Sequence, residues 1–292
     1  MGQDSDDRLE TEVTVRPTLV VMADGRRQHF VDQLLASLDA PARVVYDLCD
    51  CDHGRPQCPL EGHRDRWRTG ARALLAGLDD PEASHIVCIQ DDAVVCRDFL
   101  PAATKALEQV PDQPVSFYAG KPRPQDATVA RKIRDARQAG SSWMRFEGPW
   151  WGVCVALPVA LIRPAVASAD TFTKVANYDV RLARGLMRLG YQCLYTLPSL
   201  ADHRQGHPSL IPGGRPQGRR AHWFVGEDVS GLTIDWTPYS VPAPGAGFIQ
   251  ELANGRTVYR CGVAGCHYRT SAKHQIQRHS GQRHPGGRMV AR

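Results

Sequence analysis

The chain lacks any apolar run long enough to cross a bilayer; its longest, Trp150 to Ile162, is too short and is interrupted by Pro158. The N-terminus, Met1-Gly-Gln-Asp-Ser-Asp-Asp, lacks the basic and apolar regions of an export signal, and no hydroxyl residue stands at position 6 for a myristoylation site. A cytoplasmic protein with no membrane partner is expected. The nine cysteines do not form the regular framework of a small disulfide-stapled domain, and their spacing fits metal chemistry in a reducing compartment. Acidic residues are missing from Leu252 onward, where eight Arg or Lys stand (Arg256, Arg260, Arg269, Lys273, Arg278, Arg283, Arg288, Arg292). A tail of +8 within a total of +5 leaves −3 on the rest, so the positive field is concentrated at the C-terminus, as a polyanion partner requires.

What is present describes a globular protein. At 292 residues, with 42% hydrophobic and 23% charged positions, the chain can hold one sizeable domain and an appendage.

The appendage carries the most specific pattern, Cys261-x4-Cys266-x12-His279-x4-His284. Two thiolates on a β-turn and two imidazoles one helical turn apart make a closed tetrahedral Zn2+ site, the ligand set of a two-Cys two-His zinc finger. So short a segment buries too little apolar surface to fold alone, and zinc binding worth about 10–16 kcal/mol supplies the difference. Tyr259 precedes the first Cys at the usual aromatic position and Ile276 sits beneath the helix, while Thr270 replaces the second aromatic. Numbering the helix from these landmarks puts Ala272, Gln275 and Arg278 at base-facing positions, with Lys273, His274 and Arg283 near phosphates. DNA is therefore an expected partner; a protein-contact finger is the alternative. Cys49, Cys51, His53, Cys58 and His63 form a second cluster, either another zinc site or a loop with unpaired thiols. Cys88, Cys96, Cys154 and Cys193 lie in or beside strands and read as core.

Strands and helices alternate ahead of the finger. Strands are expected at Thr18 to Ala23, Ala42 to Asp47, Ser84 to Gln90, Val115 to Tyr118, Trp150 to Leu157 and Gln192 to Leu197. Helices are expected at His29 to Leu38, Asp65 to Leu78, Phe99 to Leu107, Ala127 to Ala139, from Pro158, and at Tyr178 to Leu189. The fold class is α/β with a mainly parallel sheet flanked by helices. The expected divisions are a leader at 1–16, the main domain at 17–227, a linker at 228–254, the finger at 255–285 and a basic tail at 286–292.

Open α/β sheets bind ligands at the carboxyl ends of their strands, where Asp91 and Asp92 close the very apolar strand Ile86 to Ile89. Paired carboxylates there suit Mn2+ or Mg2+ bridging to a nucleotide diphosphate; alternatively one Asp caps a turn. The stretch Ile86-Val-Cys-Ile-Gln-Asp-Asp-Ala-Val-Val95, with the opening strand-turn-helix of Thr18 to Leu38, resembles the GT-A-fold (Rossmann-like) glycosyltransferases, whose aspartate-x-aspartate motif ends a central strand. Gln90 takes the first acidic position, so the resemblance assigns metal binding to Asp92 and a ribose-facing or structural place to Asp91. The Trp150-Trp-Gly-Val-Cys strand followed by Asn177-Tyr-Asp179 at a helix start is similar to the acceptor side of inverting members, which implies Asp179 as general base; the alternative is an N-cap. Ser199-Leu-Ala-Asp202-His203 implies His203 as a further metal ligand, with Asp202 second.

The nucleotide-sugar contacts expected are Ala23, Asp24, Arg27, Arg68, Asp91 and Trp151, with Arg215 to Arg220 a further source of guanidinium for the diphosphate. In overall logic the chain resembles bacteriophage DNA-hypermodifying glycosyltransferases, which would place it in the host cytoplasm. The resemblance implies metal-dependent transfer from a nucleotide sugar, a UDP-sugar foremost, to a hydroxymethylated base such as 5-hydroxymethylcytosine, with inversion. The alternatives are a GT-A enzyme acting on a protein or glycan with a structural finger, and a non-enzymatic zinc-finger DNA-binding protein.

Overall fold

In a computed structural model the chain is described at residues 14–47, 66–121, 126–146, 151–175, 177–205 and 219–236, and for the backbone of 248–253, 256–261 and 269–270. It divides into two units, Met1–Thr237 and Pro238–Arg292.

The first unit opens with β1 (Pro17–Ala23), α1 (Gln28–Ser37), β2 (Ala42–Tyr46), α2 (Arg66–Ala76), β3 (His85–Gln90), β4 (Ala93–Val95) and α3 (Phe99–Glu108). It continues with β5 (Val115–Ser116), α4 (Asp126–Gln138), β6 (Trp143–Phe146), β7 (Cys154–Pro158), α5 (Val159–Asp170), α6 (Tyr178–Arg188), β8 (Cys193–Thr196) and β9 (Ala201–His203). A seven-stranded sheet has the order β2-β1-β3-β7-β5-β8-β6. β2, β1, β3, β5 and β8 run one way, and β7 and β6 run against them. The sheet is thus mostly parallel in direction, as expected, although half of its pairings are antiparallel.

The central strands are continuous apolar runs because helices cover both of their faces. Leu19, Val20 and Val21 of β1 and Ile86, Val87 and Ile89 of β3 are buried, and side chains of this size contribute about 1.5–3 kcal/mol each when withdrawn from water. α2, α5 and α6 pack on one another, and Asp39 accepts a hydrogen bond from Leu100 N–H to join the end of α1 to α3. Cys88, Cys96, Cys154 and Cys193 are buried free thiols, with burial pushing Cys88 and Cys96 up to about 12, so the core reading holds. No helix among the described residues is long and apolar enough to cross a membrane.

Both ends of the main domain lie beyond the expected bounds. Val15 is buried and Arg16 N–H donates to Ser84 Oγ at 2.7 Å, so the fold begins inside the expected leader. At the other end, residues 228–236 pack on the body instead of starting a linker. Ser230 Oγ donates to the Asp98 carboxylate, which reaches it from a left-handed backbone at φ 57°. A Cβ on Gly231 would stand 2.7 Å from Ala102 Cβ and 2.9 Å from Cys96 Sγ, so only glycine fits. Trp236 is buried against Trp143 with ring centroids 5.6 Å apart, and Trp143 Nε1 donates to its carbonyl at 3.2 Å. Ala221 and Phe224 form isolated bridges with Gly120 and Ser199. The strand expected from Trp150 begins only at Cys154.

In the second unit β10 (Phe248–Ala253), β11 (Arg256–Cys261) and β12 (Arg269–Thr270) form an antiparallel sheet in that order. β10 falls where a linker was expected, because Phe248-Ile-Gln-Glu-Leu-Ala pairs along its length with β11. Tyr259 faces Thr270 and Arg260 faces Arg269, placing Cys261 at the end of a hairpin. Cys266, His279 and His284 lie outside the described residues, as do Lys273, His274, Gln275, Arg278 and Arg283.

Candidate active site

One edge of the large sheet gathers the chemistry. β1 and β3 end there and β7, running the other way, begins there, with Gln90 N–H donating to Val153 O at 2.8 Å across the junction. Asp24 follows β1, Asp91 and Asp92 follow β3, and Gly152 precedes β7. The small β4–β9 ladder, in which Ala93 faces His203, folds the second motif back onto the first. Arg204 N–H donates to Asp92 O at 2.8 Å at the ladder's end.

The outcome is a charged cluster with little access to water. Arg27 Nη1 lies 2.8 Å from Asp92 Oδ2 and 3.6 Å from Asp91 Oδ1, and His203 Nδ1 lies 3.5 Å from Asp92 Oδ1. Burial opposes charge on Asp92, but the hydrogen bond and charge of His203 and the Arg27 guanidinium together outweigh it and hold the carboxyl well below the usual range. Asp91 goes the other way. Burial and then the neighbouring Asp92 charge raise it to about 7, against the opposing pull of the Asp24 N–H and Arg27. Two adjacent carboxyls with opposite shifts share one guanidinium, so Asp92 carries the charge and Asp91 is the one that readily takes a proton.

Asp91 is tied to the neighbouring backbone. Its Oδ2 accepts the Asp24 N–H at 2.8 Å, pinning the turn after β1. Asp24 in turn caps the 3-10 turn Gly25–Arg27 through Arg26 N–H at 2.9 Å, and that turn aims Arg27 inward. Ala23 is buried at the end of β1, where its carbonyl accepts the Asp47 N–H at 2.7 Å. Asp202 is not beside Asp92. Its carboxylate accepts Ala221 N–H at 2.6 Å and Arg220 Nε at 3.0 Å, which anchors the 219–221 segment.

Asp179 sits one strand away, in the first turn of α6. Asn177 takes the N-cap position, so Asp179 is not the cap. Its carboxylate accepts Val180 N–H at 2.8 Å and also the Gly152 N–H. Burial raises its pKa; these N–H donors and Arg66 pull the other way without cancelling the shift. A Cβ on Gly152 would stand 2.7 Å from Tyr178 Cε1 and 2.9 Å from Asp179 Cβ, so glycine permits the close approach of strand and helix.

Trp151 and Arg68 complete the expected contacts. Trp151 is buried and meets Tyr195 edge-on at 5.4 Å, so its ring serves the core more than a ligand. Arg68 is exposed in the first turn of α2. Arg215 and the cluster Cys49, Cys51, His53, Cys58 and His63 lie outside the described residues.

Arg204 was not anticipated from sequence. Its guanidinium and that of Arg27 stand 5.5 Å and 5.6 Å from the buried Phe30 ring, and its Nε is buried without a hydrogen-bond partner. A buried guanidinium nitrogen left unpaired is costly, and an anion supplied by a ligand would satisfy it. The only sequence clue was its place directly after His203.

No protein-family model matches the sequence, and no curated protein matches it.

Proposed function

We propose that the protein transfers a sugar from a nucleotide-sugar donor to the hydroxymethyl group of a modified base in DNA, with the GT-A-type body as catalyst and the finger on DNA. The observation that carries this reading is the convergence of Asp92 and His203, with Arg27 beside them, at the carboxyl edge of the sheet. Ligands set at right angles around a small divalent ion stand about 3 Å apart, and the 3.5 Å between Asp92 Oδ1 and His203 Nδ1 is close to that. No third His, Cys, Asp or Glu joins them among the described residues, which fits an ion held by one or two side chains with donor phosphates and water completing its shell. Mn2+ or Mg2+ bound there would stabilise the charge of the departing diphosphate.

The chain's own residues do the rest. Arg27 and Arg204, whose guanidinium groups both lie by the Phe30 ring, would offer donors to the phosphates of the nucleotide sugar. Asp179 accepts the hydroxymethyl proton as the oxygen attacks the anomeric carbon, and the bonding pair of the sugar–phosphate bond leaves with the nucleoside diphosphate. A base with a raised pKa suits this step, because proton transfer is most effective when the acceptor lies nearer the working pH. In duplex DNA the acceptor base must leave the stack, at a cost of a few kcal/mol that contacts elsewhere must offset.

The test is to incubate the full chain and Mn2+ with a panel of nucleotide sugars and either hydroxymethylated or plain DNA, followed by mass spectrometry of the nucleosides. One hexose mass added to the hydroxymethylated nucleoside alone is the expected result. Sugar found on protein or glycan would overturn DNA as acceptor. Absence of both transfer and Mn2+-dependent donor hydrolysis would overturn the enzymatic reading and favour a DNA-binding protein.

A further inference from the structure

The body also carries a basic strip that no step of the sugar chemistry uses. Residues 118–121, beyond β5, lie alongside 219–222: Tyr118 Oη donates to Arg219 O at 2.5 Å, Lys121 N–H to Arg220 O at 3.1 Å, and His222 N–H to Ala119 O at 2.9 Å. Lys121 and Arg220 are exposed side by side as a result. Arg220 is tied to Asp202, the neighbour of His203, so the strip starts at the sheet edge that bears the acid pair. Trp223 comes next, with the Arg137 guanidinium 3.7 Å over its ring. From Arg137 the exposed Arg134 and Arg131 continue back along α4 at three-residue spacing, which keeps them on neighbouring turns of one flank. The chain up to Glu251 is formally negative, so this concentration of cations is local.

We propose that Lys121, Arg220, Arg137, Arg134 and Arg131 form a track for the phosphate backbone of DNA, with the Arg137–Trp223 stack as a platform for an unstacked base. A run of guanidinium and ammonium groups matches a polymer with one charge per nucleotide. An aromatic ring among them is what separates a nucleic-acid surface from a merely solvated helix face, since splayed bases stack on aromatic and guanidinium planes. The track shares with the function proposed above only DNA as partner, and it requires no sugar transfer.

Binding of the full chain to a fluorescent plain duplex, followed by anisotropy across a salt series, tests it. The double variant Arg131→Gln/Arg134→Gln should lower the slope of log K against log salt by nearly two, because each lost phosphate contact removes about 0.9. Affinity at low salt should fall on the order of tenfold, and the Lys versions of both positions should restore it. Repeating the series in a Cys261→Ser background separates the strip from the finger. Unchanged slope and affinity in both backgrounds would overturn the track. So would Lys variants that bind as poorly as the Gln variants, or a loss seen only with poly-glutamate while DNA binding holds. Sugar transfer to a free hydroxymethylated nucleoside should be the same in wild type and strip variants, so failure of the sugar chemistry and failure of the track give different results.

Discussion

Arg27 donates to Asp92 at 2.8 Å with both side chains largely buried, which makes the guanidinium the standing counter-charge of the acid pair. Removing one member of a buried ion pair leaves the other uncompensated at a cost of about 3–5 kcal/mol, whereas removing both is far milder. Asp91 stays 3.6 Å from the guanidinium as a partial counter-charge, so Asp92→Ala should destabilise the body by less than that amount in urea unfolding, and Arg27→Met/Asp92→Ala should recover part of the loss. Equal, additive losses would show that the pair is not coupled.

Asp91 predicts an alkaline loss of stability. Its folded pKa, raised to about 7 by burial and the Asp92 charge, lies above the unfolded value, so the folded state binds more protons between them. The stabilisation is complete below the unfolded pKa of about 4 and is lost as pH rises through about 7. Asp91→Asn should flatten this limb and gain relative stability at pH 8, while Asn Oδ1 can still accept the Asp24 N–H. His85 acts in the opposite sense. Burial lowers its pKa between Ser84 Oγ and Pro111 O, so the stability it favours is present above about 6.5 and falls as pH drops below it. Unfolding free energies of Asp91→Asn and of His85→Gln, each beside wild type from pH 4 to 9, check both signs.

Much of the site was legible because its residues lie at strand ends, and strand ends are marked by the close of apolar runs. Ile86 to Ile89 advertises both a buried strand and the place where Asp92 must emerge; the run ending at Ala23 does the same for Asp24 and Arg27. The pairing of Asp92 with His203 depended on the order of motifs along the chain, and the β4–β9 ladder supplies the physical link. β4 and β6 are too short to show a period. Arg204 could not be singled out, because its interest lies in an unpaired buried nitrogen and in Phe30 beneath it. Trp236 was hidden in a Pro/Gly-rich stretch, where one aromatic anchor carries no periodic signature. Trp151 stands beside Gly152, which admits Asp179, yet its ring packs edge-on against Tyr195.

If Asp179 is the base, Asp179→Asn should lower sugar transfer by about two to four orders of magnitude with the KM for donor little changed. Donor hydrolysis by water should fall less, because a water molecule can shed its proton to solvent. Gly152→Ala forces the Tyr178 ring and Asp179 apart, so it should cost about 1–3 kcal/mol as well as activity. Steady-state kinetics beside thermal melts distinguish the two; an Asp179→Asn enzyme with native turnover would leave Asp179 a purely structural acceptor of the Gly152 and Val180 N–H groups.

The C-terminal cysteine and histidine spacing makes a stoichiometric prediction. Zinc released on denaturation should amount to one ion per chain if only Cys261, Cys266, His279 and His284 bind it, and two if the Cys49–His63 cluster does as well. Cys261→Ser should remove one ion and leave the unfolding of the first unit unchanged, because β10, β11 and β12 belong to a separate unit. Chelation that melted the first unit would assign a structural ion to it.

The stretch from Asp228 to Trp236 predicts where a shortened chain would fail. Trp236 covers Trp143, Gly231 is inserted against Ala102 and Cys96, and Ser230 holds Asp98, so these three residues fasten the stretch to the body. A chain ending at Thr237 should unfold cooperatively with nearly the full stability of the first unit. One ending at Glu227 loses all three contacts and should expose Trp143. Replacing Trp236 with Ala in the full chain isolates the largest of the three, and truncation of a buried Trp costs about 3–5 kcal/mol. For a domain of this size that corresponds to a fall in Tm of roughly 6–20 °C. Differential scanning calorimetry of the three proteins, with tryptophan emission as a probe of Trp143, measures it; equal melting of the two truncated chains would return 228–236 to the linker.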